Sequence, residues 1–258
     1  MLTSTKNPRI QRIRKLQNSV QTRRKEAFFV VEGVRLVEEV VKAKWKPQFV
    51  LYTENIQDRG HQAVVHFQKQ GIEVMAAAPH VMQAASDTQS PQGILALIPI
   101  PVWQFPTDPT FLVIPDGIRD PGNLGTLLRT ALAAGVEAVI LPPGGTDAFS
   151  PKVVRAGMGA HFRLPIISMD WENIQSNLTG LSIFLADSQA GAHYHQTEFQ
   201  SPLALIICGE ASGAGSQAAN LSTSRIHIAM PGKAESLNAA IAGAILIFEV
   251  VRQRGLDR

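Results

Sequence analysis

The residues of this chain best suited to chemistry fall in three short segments, each polar, glycine-bearing and preceded by an apolar run. The first is Asp116-Gly-Ile-Arg-Asp-Pro-Gly-Asn-Leu-Gly-Thr-Leu-Leu-Arg129. Its Leu124, Leu127, Leu128, Ala131 and Leu132 recur at helical spacing, so Asn123 falls at the expected N-cap and Arg129 on a different face. The second is Ile206-Ile-Cys-Gly-Glu-Ala-Ser-Gly-Ala-Gly215. Glycines there let backbone N–H groups approach a ligand, and Glu210 places a carboxylate at a strand end. This loop has neither the dinucleotide G-x-G-x-x-G order nor a P-loop lysine. The third segment, Ile228 to Asn238, runs a polar loop into an apolar helix. Ser236 and Asn238 are both good caps two residues apart, so only one can be the N-cap and the other is left for a further role. Taken singly, capping accounts for Asn123, an exposed helix charge for Arg129 and a plain tight turn for the glycine loop. Their recurrence at three strand-to-loop junctions points to one shared cleft for a nucleotide-like cofactor, because open parallel sheets bind ligands at the C-terminal edge of their strands.

The elements needed to hold such a cleft are legible. Strand-like runs at 28–31, 49–52, 72–75 and 94–98 alternate with helical patterns at 33–42 and 61–70, which predicts an α/β layer. Pro99-Ile-Pro-Val-Trp-Gln-Phe-Pro-Thr-Asp-Pro109 has four prolines in eleven residues and sustains neither element, so it marks a linker. Beyond it, strands are expected at 111–114, 138–141, 182–185, 204–207 and 225–229, with helices at 124–134, near 151–157, and at the C-terminal end. Several of these strands are continuous apolar runs, as in a parallel sheet covered on both faces. The resulting division is a smaller α/β domain over 1–98, a linker over 99–109 and a larger parallel α/β domain over 110–258.

With 258 residues, 45% of them hydrophobic, the chain can build a substantial core. Cys208 is the single cysteine, which excludes an intramolecular disulfide and a cysteine-rich metal site and fits a reducing cytoplasm. No apolar run reaches the ~20 residues that span a bilayer, and the N-terminal residues have no secretory pattern. The net charge of +3 is unevenly placed: residues 1–25 hold eight cations and no acid, leaving 16 basic against 21 acidic side chains, a net of −5, elsewhere. A concentrated positive segment on a mildly acidic body is suited to a polyanion, RNA or DNA, although a solvated helix face has the same composition.

The three segments resemble, in order and separation, the three motifs of the SpoU (TrmH-like) branch of the SPOUT RNA ribose 2′-O-methyltransferases. The last, with Pro231-Gly232 and Glu235-Ser-Leu-Asn238 before a small-residue helix, is the most specific. Phe29-Val-Val-Glu-Gly-Val-Arg-Leu36 resembles the ribosomal-protein-L30e-like substrate-binding domain that many members carry before the catalytic domain. The resemblance implies a C-terminal trefoil knot, S-adenosyl-L-methionine as methyl donor, a homodimer and an RNA substrate, with ribosomal RNA, 23S in particular, favoured over transfer RNA. It assigns Cys208, Gly209, Ile228, Met230 and Leu237 to the donor pocket. Asn123, Arg129, Glu210, Ser236 and Asn238 are assigned to catalysis, with Arg129 either a base or a phosphate anchor. Arg9, Arg12, Arg14, Arg23, Arg24 and Arg35 are the expected RNA contacts, and no metal is implied. Where many members have Gly-Asn-Glu-Gly, this chain has Cys208-Gly-Glu-Ala211, which reduces backbone freedom at two positions.

Overall fold

The computed structural model describes residues 1–188, 192–200, 202–209, 213–232 and 234–255. Two compact units emerge: Met1–Val102 together with Phe149–Phe162, and Trp103–Ala148 together with Arg163–Arg258.

The first unit opens with two helices, α1 (Pro8–Asn18) and α2 (Val20–Glu26). Asn7 caps α1 by accepting from the Arg9 N–H, and Pro8 at the first helical position presets its entry. Ser19 ends α1 and caps α2, accepting from Thr22 N–H at 3.1 Å. Ile10, Ile13 and Leu16 recur every three residues along α1 and are fully buried, so the basic N-terminal segment is a packed pair of helices. There follow β1 (Phe28–Glu32), α3 (Val34–Lys42), β2 (Phe49–Tyr52), α4 (Asp58–Lys69), β3 (Glu73–Ala76), α5 (Pro79–Ala85) and β4 (Ile94–Pro99). The sheet order is β1-β4-β2-β3. β4 runs antiparallel to β1 and β2, while β2 and β3 are parallel. Alternate residues of β1 enter different cores, Phe29 and Val31 with α3 and α4, Val30 with α1 and α5, as the two-residue strand period requires.

The second unit comprises β5 (Phe111–Asp116), α6 (Pro121–Ala133), β6 (Ala138–Leu141), then, after a stretch that belongs with the first unit and holds α7 (Pro151–Gly157), β7 (Ile166–Ser168), α8 (Trp171–Asn177), β8 (Ser182–Ala186), β9 (Ala192–His193), β10 (Leu203–Cys208), α9 (Ser216–Leu221), β11 (Ser224–His227) and α10 (Ala239–Gln253). Its described strands form one seven-stranded sheet in the order β7-β6-β5-β10-β8-β11-β9. Every pairing in it is parallel. Leu203 to Ile207 of β10 are all buried, which explains the unbroken apolar runs. Gly243 of α10 permits close packing on α6: a Cβ there would lie 2.5 Å from Leu127 Cδ1.

The structure refines the sequence reading at several places. β4 continues through Pro99, the residue taken as the first of the linker, and Ile100 N–H bonds Ala27 O. The short elements α5, β7, α8, α9 and β9 carry too few residues for a period to register. The stretch Phe149–Phe162, read as part of an unbroken second domain, supplies Val154 and Phe162 to the core of the first unit. There the Trp45 Nε1–H bonds Phe162 O at 3.1 Å.

Candidate active site

Strand order decides where the loops meet. β10 lies between β5 and β8, with Cys208 paired to Asp116, and β11 lies against β8, with Ile226 paired to Ala186. The chain therefore leaves the same edge of the sheet at residues 116, 186, 208 and 227, side by side. A cavity of about 190 Å³ opens there. Cys208, Gly209, Ile228, Met230 and Leu237 all line it, as does Ser236, with Asp187, Ser188 and His227 completing the polar side and Leu246 of α10 the apolar one.

The backbone is held tightly around this cavity. Gly209 N–H bonds Asp116 O at 2.9 Å, and a Cβ on Gly209 would stand 2.3 Å from Gly117 O, so no side chain fits without moving backbone. The Asp116 carboxylate is buried, 7% exposed, and accepts from Gly215 N–H at 2.8 Å. It thus ties β5 to the glycine loop across 99 residues. Burial, then the negative charges of Asp116 and Asp187, push the Cys208 thiol up to about 12. The thiol remains protonated near neutrality and is no nucleophile, because the thiolate is the reactive form. The same carboxylates make the cavity favourable to a cation.

Two of the three motifs, the first and the third, meet through a pair of asparagines. Asn238 is the N-cap of α10: its Oδ1 accepts from Ala240 N–H at 3.0 Å and Ile241 N–H at 3.3 Å. Its Nδ2 donates to Asn123 Oδ1 at 2.9 Å, so one side chain both caps the helix and joins the first motif to the third. Ser236, the other capping candidate, faces the cavity instead. Asn123 is not the N-cap of α6, contrary to the sequence expectation. Pro121 starts that helix earlier, and Asp120 caps it by accepting from Asn123 N–H at 2.8 Å. Arg129 lies six residues beyond Asn123, about 9 Å farther along the helix axis. It is exposed, does not line the cavity, and makes no hydrogen bond or ion pair among the described residues. Glu210 lies outside the described residues.

Sequence reasoning missed Asp116, Asp187 and His227. The first two follow the same rule as the others, since each sits at the C-terminal end of a strand in the sheet. The His227 ring lies 4.2 Å from that of His193 between centroids, tilted by 48°, and His193 lies 5.2 Å from His195; positions so separated in sequence carry no motif.

The cations expected to meet RNA divide into three groups. Arg9 makes a two-pronged pair with Glu73 at 2.7 and 2.9 Å, and Arg12 bonds Glu26 at 2.6 Å and Gln48 at 2.7 Å. Both pairs are partly exposed, and such pairs exchange for a phosphate at little cost. Arg23 is 5% exposed and donates to the carbonyls of Leu16 and Gln17, locking the α1–α2 corner. It is structural, which corrects its assignment as an RNA contact. Arg14, Arg24 and Arg35 are exposed and without a partner among the described residues.

Sequence comparison agrees with this geometry. Residues 110–248 match the SpoU rRNA methylase family, and residues 7–96 match the MRM3-like substrate binding domain. The chain is 33% identical over 253 residues to the Bacillus subtilis 23S rRNA (guanosine(2553)-2′-O)-methyltransferase RlmP, covering 96% of this chain and 98% of that protein. It is 28% identical over 264 residues to the 23S rRNA (uridine(2479)-2′-O)-methyltransferase of Streptomyces viridochromogenes, covering 97% and 92%. Among solved structures, the SpoU methyltransferase AviRb from Streptomyces viridochromogenes in complex with AdoMet superposes with a TM-score of 0.87 at 26% identity, over 98% of this chain and all of that one. The AdoMet-bound rRNA methyltransferase from Sinorhizobium meliloti gives 0.86 at 28% identity, over 97% of each chain. With its second unit built as the sheet typical of these enzymes and its motifs gathered at one edge, the chain belongs to the SpoU rRNA methylase family.

Proposed function

We propose that this chain transfers a methyl group from S-adenosylmethionine to a ribose 2′-oxygen of 23S ribosomal RNA. The observation that carries this reading is the cavity in which Cys208, Gly209, Ile228, Met230 and Leu237 come together from two separate loops. The residues present fit the donor: Ile228, Leu237 and Leu246 offer apolar surface, Asp187 offers negative charge to a cationic ligand, and Gly209 brings backbone to the cavity edge. When bound, S-adenosylmethionine supplies an electrophilic methyl carbon on a sulfonium.

What the chain must add is alignment of the ribose oxygen and removal of its proton. Ser236, at the cavity, and the Asn123–Asn238 pair beside it are placed to bind ribose or close the donor pocket. Two roles suit Arg129: a base activated by a bound phosphate, or a cation that anchors the phosphate and stabilises the developing alkoxide. Glu210 is assigned to orient it. Residues 1–98, together with 149–162, serve as the RNA-binding domain and the rest of 110–258 as the methyltransferase domain, joined by 99–109, with the C-terminal segment knotted as in SPOUT enzymes. A homodimer is supported by the apolar stripe on α10, where Ile241 is 51% and Phe248 48% exposed. The lone cysteine supports a reducing, cytoplasmic setting.

The test is incubation of the purified chain with 23S rRNA and isotope-labelled donor, followed by mapping of ribose methylation. The wild type methylates one ribose, and Arg129→Ala abolishes transfer while calorimetric donor affinity stays within about threefold. RNA left unlabelled by the wild type overturns the function, and an unchanged rate in Arg129→Ala overturns that residue's role.

A further inference from the structure

A second cavity, of about 240 Å³, opens in the first unit where β1 turns into α3. It is bounded by Glu32, Arg35 and Leu36 of that turn, by Thr88, Ser90 and Gln92 of the loop before β4, and by Arg155 and Met158 of the α7 stretch. Its walls are fastened to one another. The Glu32 carboxylate, 8% exposed, accepts from Asp87 N–H at 3.0 Å and from the Thr88 hydroxyl. Arg155 reaches Asp87 at 2.7 Å. Gln92 Oε1 accepts from Val34 N–H at 2.8 Å and so caps α3, whose N-cap Gly33 has φ +100°. These bonds use the acidic groups and the Gln92 oxygen to hold the cavity open. The Arg35 guanidinium, the Gln92 amide nitrogen and the Ser90 hydroxyl make no hydrogen bond among the described residues and remain for a ligand.

The chemistry of the lining selects the ligand. Leu36 and Met158 offer apolar surface, Arg35 and Gln92 offer planar donors, and Glu32 keeps lone pairs for an N–H group. A phosphate would meet that buried carboxylate, whereas a base presents donors and acceptors on one flat edge. At about 240 Å³ the cavity has room for a planar base. Single-stranded RNA is read in this manner, by stacking unpaired bases on planar side chains and bonding their edges. We propose that this cavity receives one unstacked nucleobase of the RNA substrate, with Arg35 as the stacking or edge-binding group. The proposal rests on the RNA methyltransferase reading above and adds to it a site of sequence selection in the first unit.

Two measurements on the full chain keep the two readings separable. Fluorescence anisotropy with four labelled decaribonucleotides, each enriched in one base, reads the cavity without methyl transfer; steady-state transfer into 23S rRNA reads the reaction. The wild type prefers one base composition. Arg35→Ala weakens binding of that oligonucleotide and raises KM for rRNA, each about tenfold, leaving kcat and donor affinity unchanged. The slope of log affinity on log salt is also unchanged, because no phosphate contact is lost. Arg35→Lys does not restore binding, since an ammonium lacks the planar fork, and Met158→Trp, which fills the cavity, reproduces the loss. Equal binding of all four compositions, an unchanged KM in Arg35→Ala, or full rescue by Arg35→Lys with a salt slope lowered by about one in Arg35→Ala overturns the proposal. Base-selective, Arg35-dependent binding without methyl transfer supports it while overturning the enzymatic reading.

Discussion

Around the cavity of the large sheet, residues as distant in sequence as Asp116 and Leu246 share one task, while in the N-terminal helices cations a few positions apart part company. Arg23 is buried and bonded to backbone carbonyls, Arg12 is tied to Glu26, and Arg14 stands exposed. The difference follows from how each region is specified. A site at strand ends is built from backbone, and strand-to-loop junctions leave a local pattern of apolar run, glycine and cap that survives any distance along the chain. A charge carries no such mark, because a guanidinium serves equally well in an internal corner, in an ion pair or toward a polyanion.

The sharpest way to break this contrast is at Gly209. Gly209→Val places a side chain against Gly117 O, so donor binding measured by calorimetry should fall more than about a hundredfold, with a loss of stability of about 1–3 kcal/mol from overpacking. Retained affinity would show that the loop yields and that backbone geometry does not define the site. Next in size is Arg23→Ala, which strips the carbonyls of Leu16 and Gln17 of their donor. Thermal or denaturant unfolding should report a cost of about 1–3 kcal/mol, and the salt dependence of RNA affinity should not change. A smaller effect is expected at the asparagine link. Asn238→Ser keeps a cap for α10 but loses the reach to Asn123, so it should preserve stability within about 0.5 kcal/mol, whereas Asn238→Ala costs about 1 kcal/mol; if both slow methyl transfer alike, the link to Asn123 matters and capping alone does not explain Asn238. Least disruptive are Arg14→Ala and Arg24→Ala, each leaving stability unchanged and lowering the salt slope of RNA binding by about one. A slope that responds to Arg23 and not to these two would reverse the division among the cations.

Much of the architecture was legible beforehand. The apolar runs at 111–114, 182–185 and 204–207 mark buried parallel strands, and the cap-and-glycine segments after 116, 208 and 228 mark the loops that gather at the cavity. Asp187 escaped because the loop after β8 has no glycine cluster to set it apart. Asn123 was misread as a cap because the apolar period begins at Leu124, while Pro121 and Asp120 had already started the helix. One wall of the second cavity, Glu32 to Leu36, lies in the segment that resembles the L30e-like domain, but the rest of its lining comes from two stretches without a motif, so the cavity itself was not legible.

By itself the sequence determined the parallel character of the second unit, its family and the set of loops carrying polar groups, because strand burial, glycine geometry and capping are local constraints written residue by residue. Tertiary structure alone decided that β10 inserts between β5 and β8, that Asn238 reaches Asn123, that Phe149–Phe162 packs with the first unit, and which arginines face solvent. Those outcomes depend on long-range pairing and burial, where one side chain type can satisfy several environments and only the completed packing selects among them.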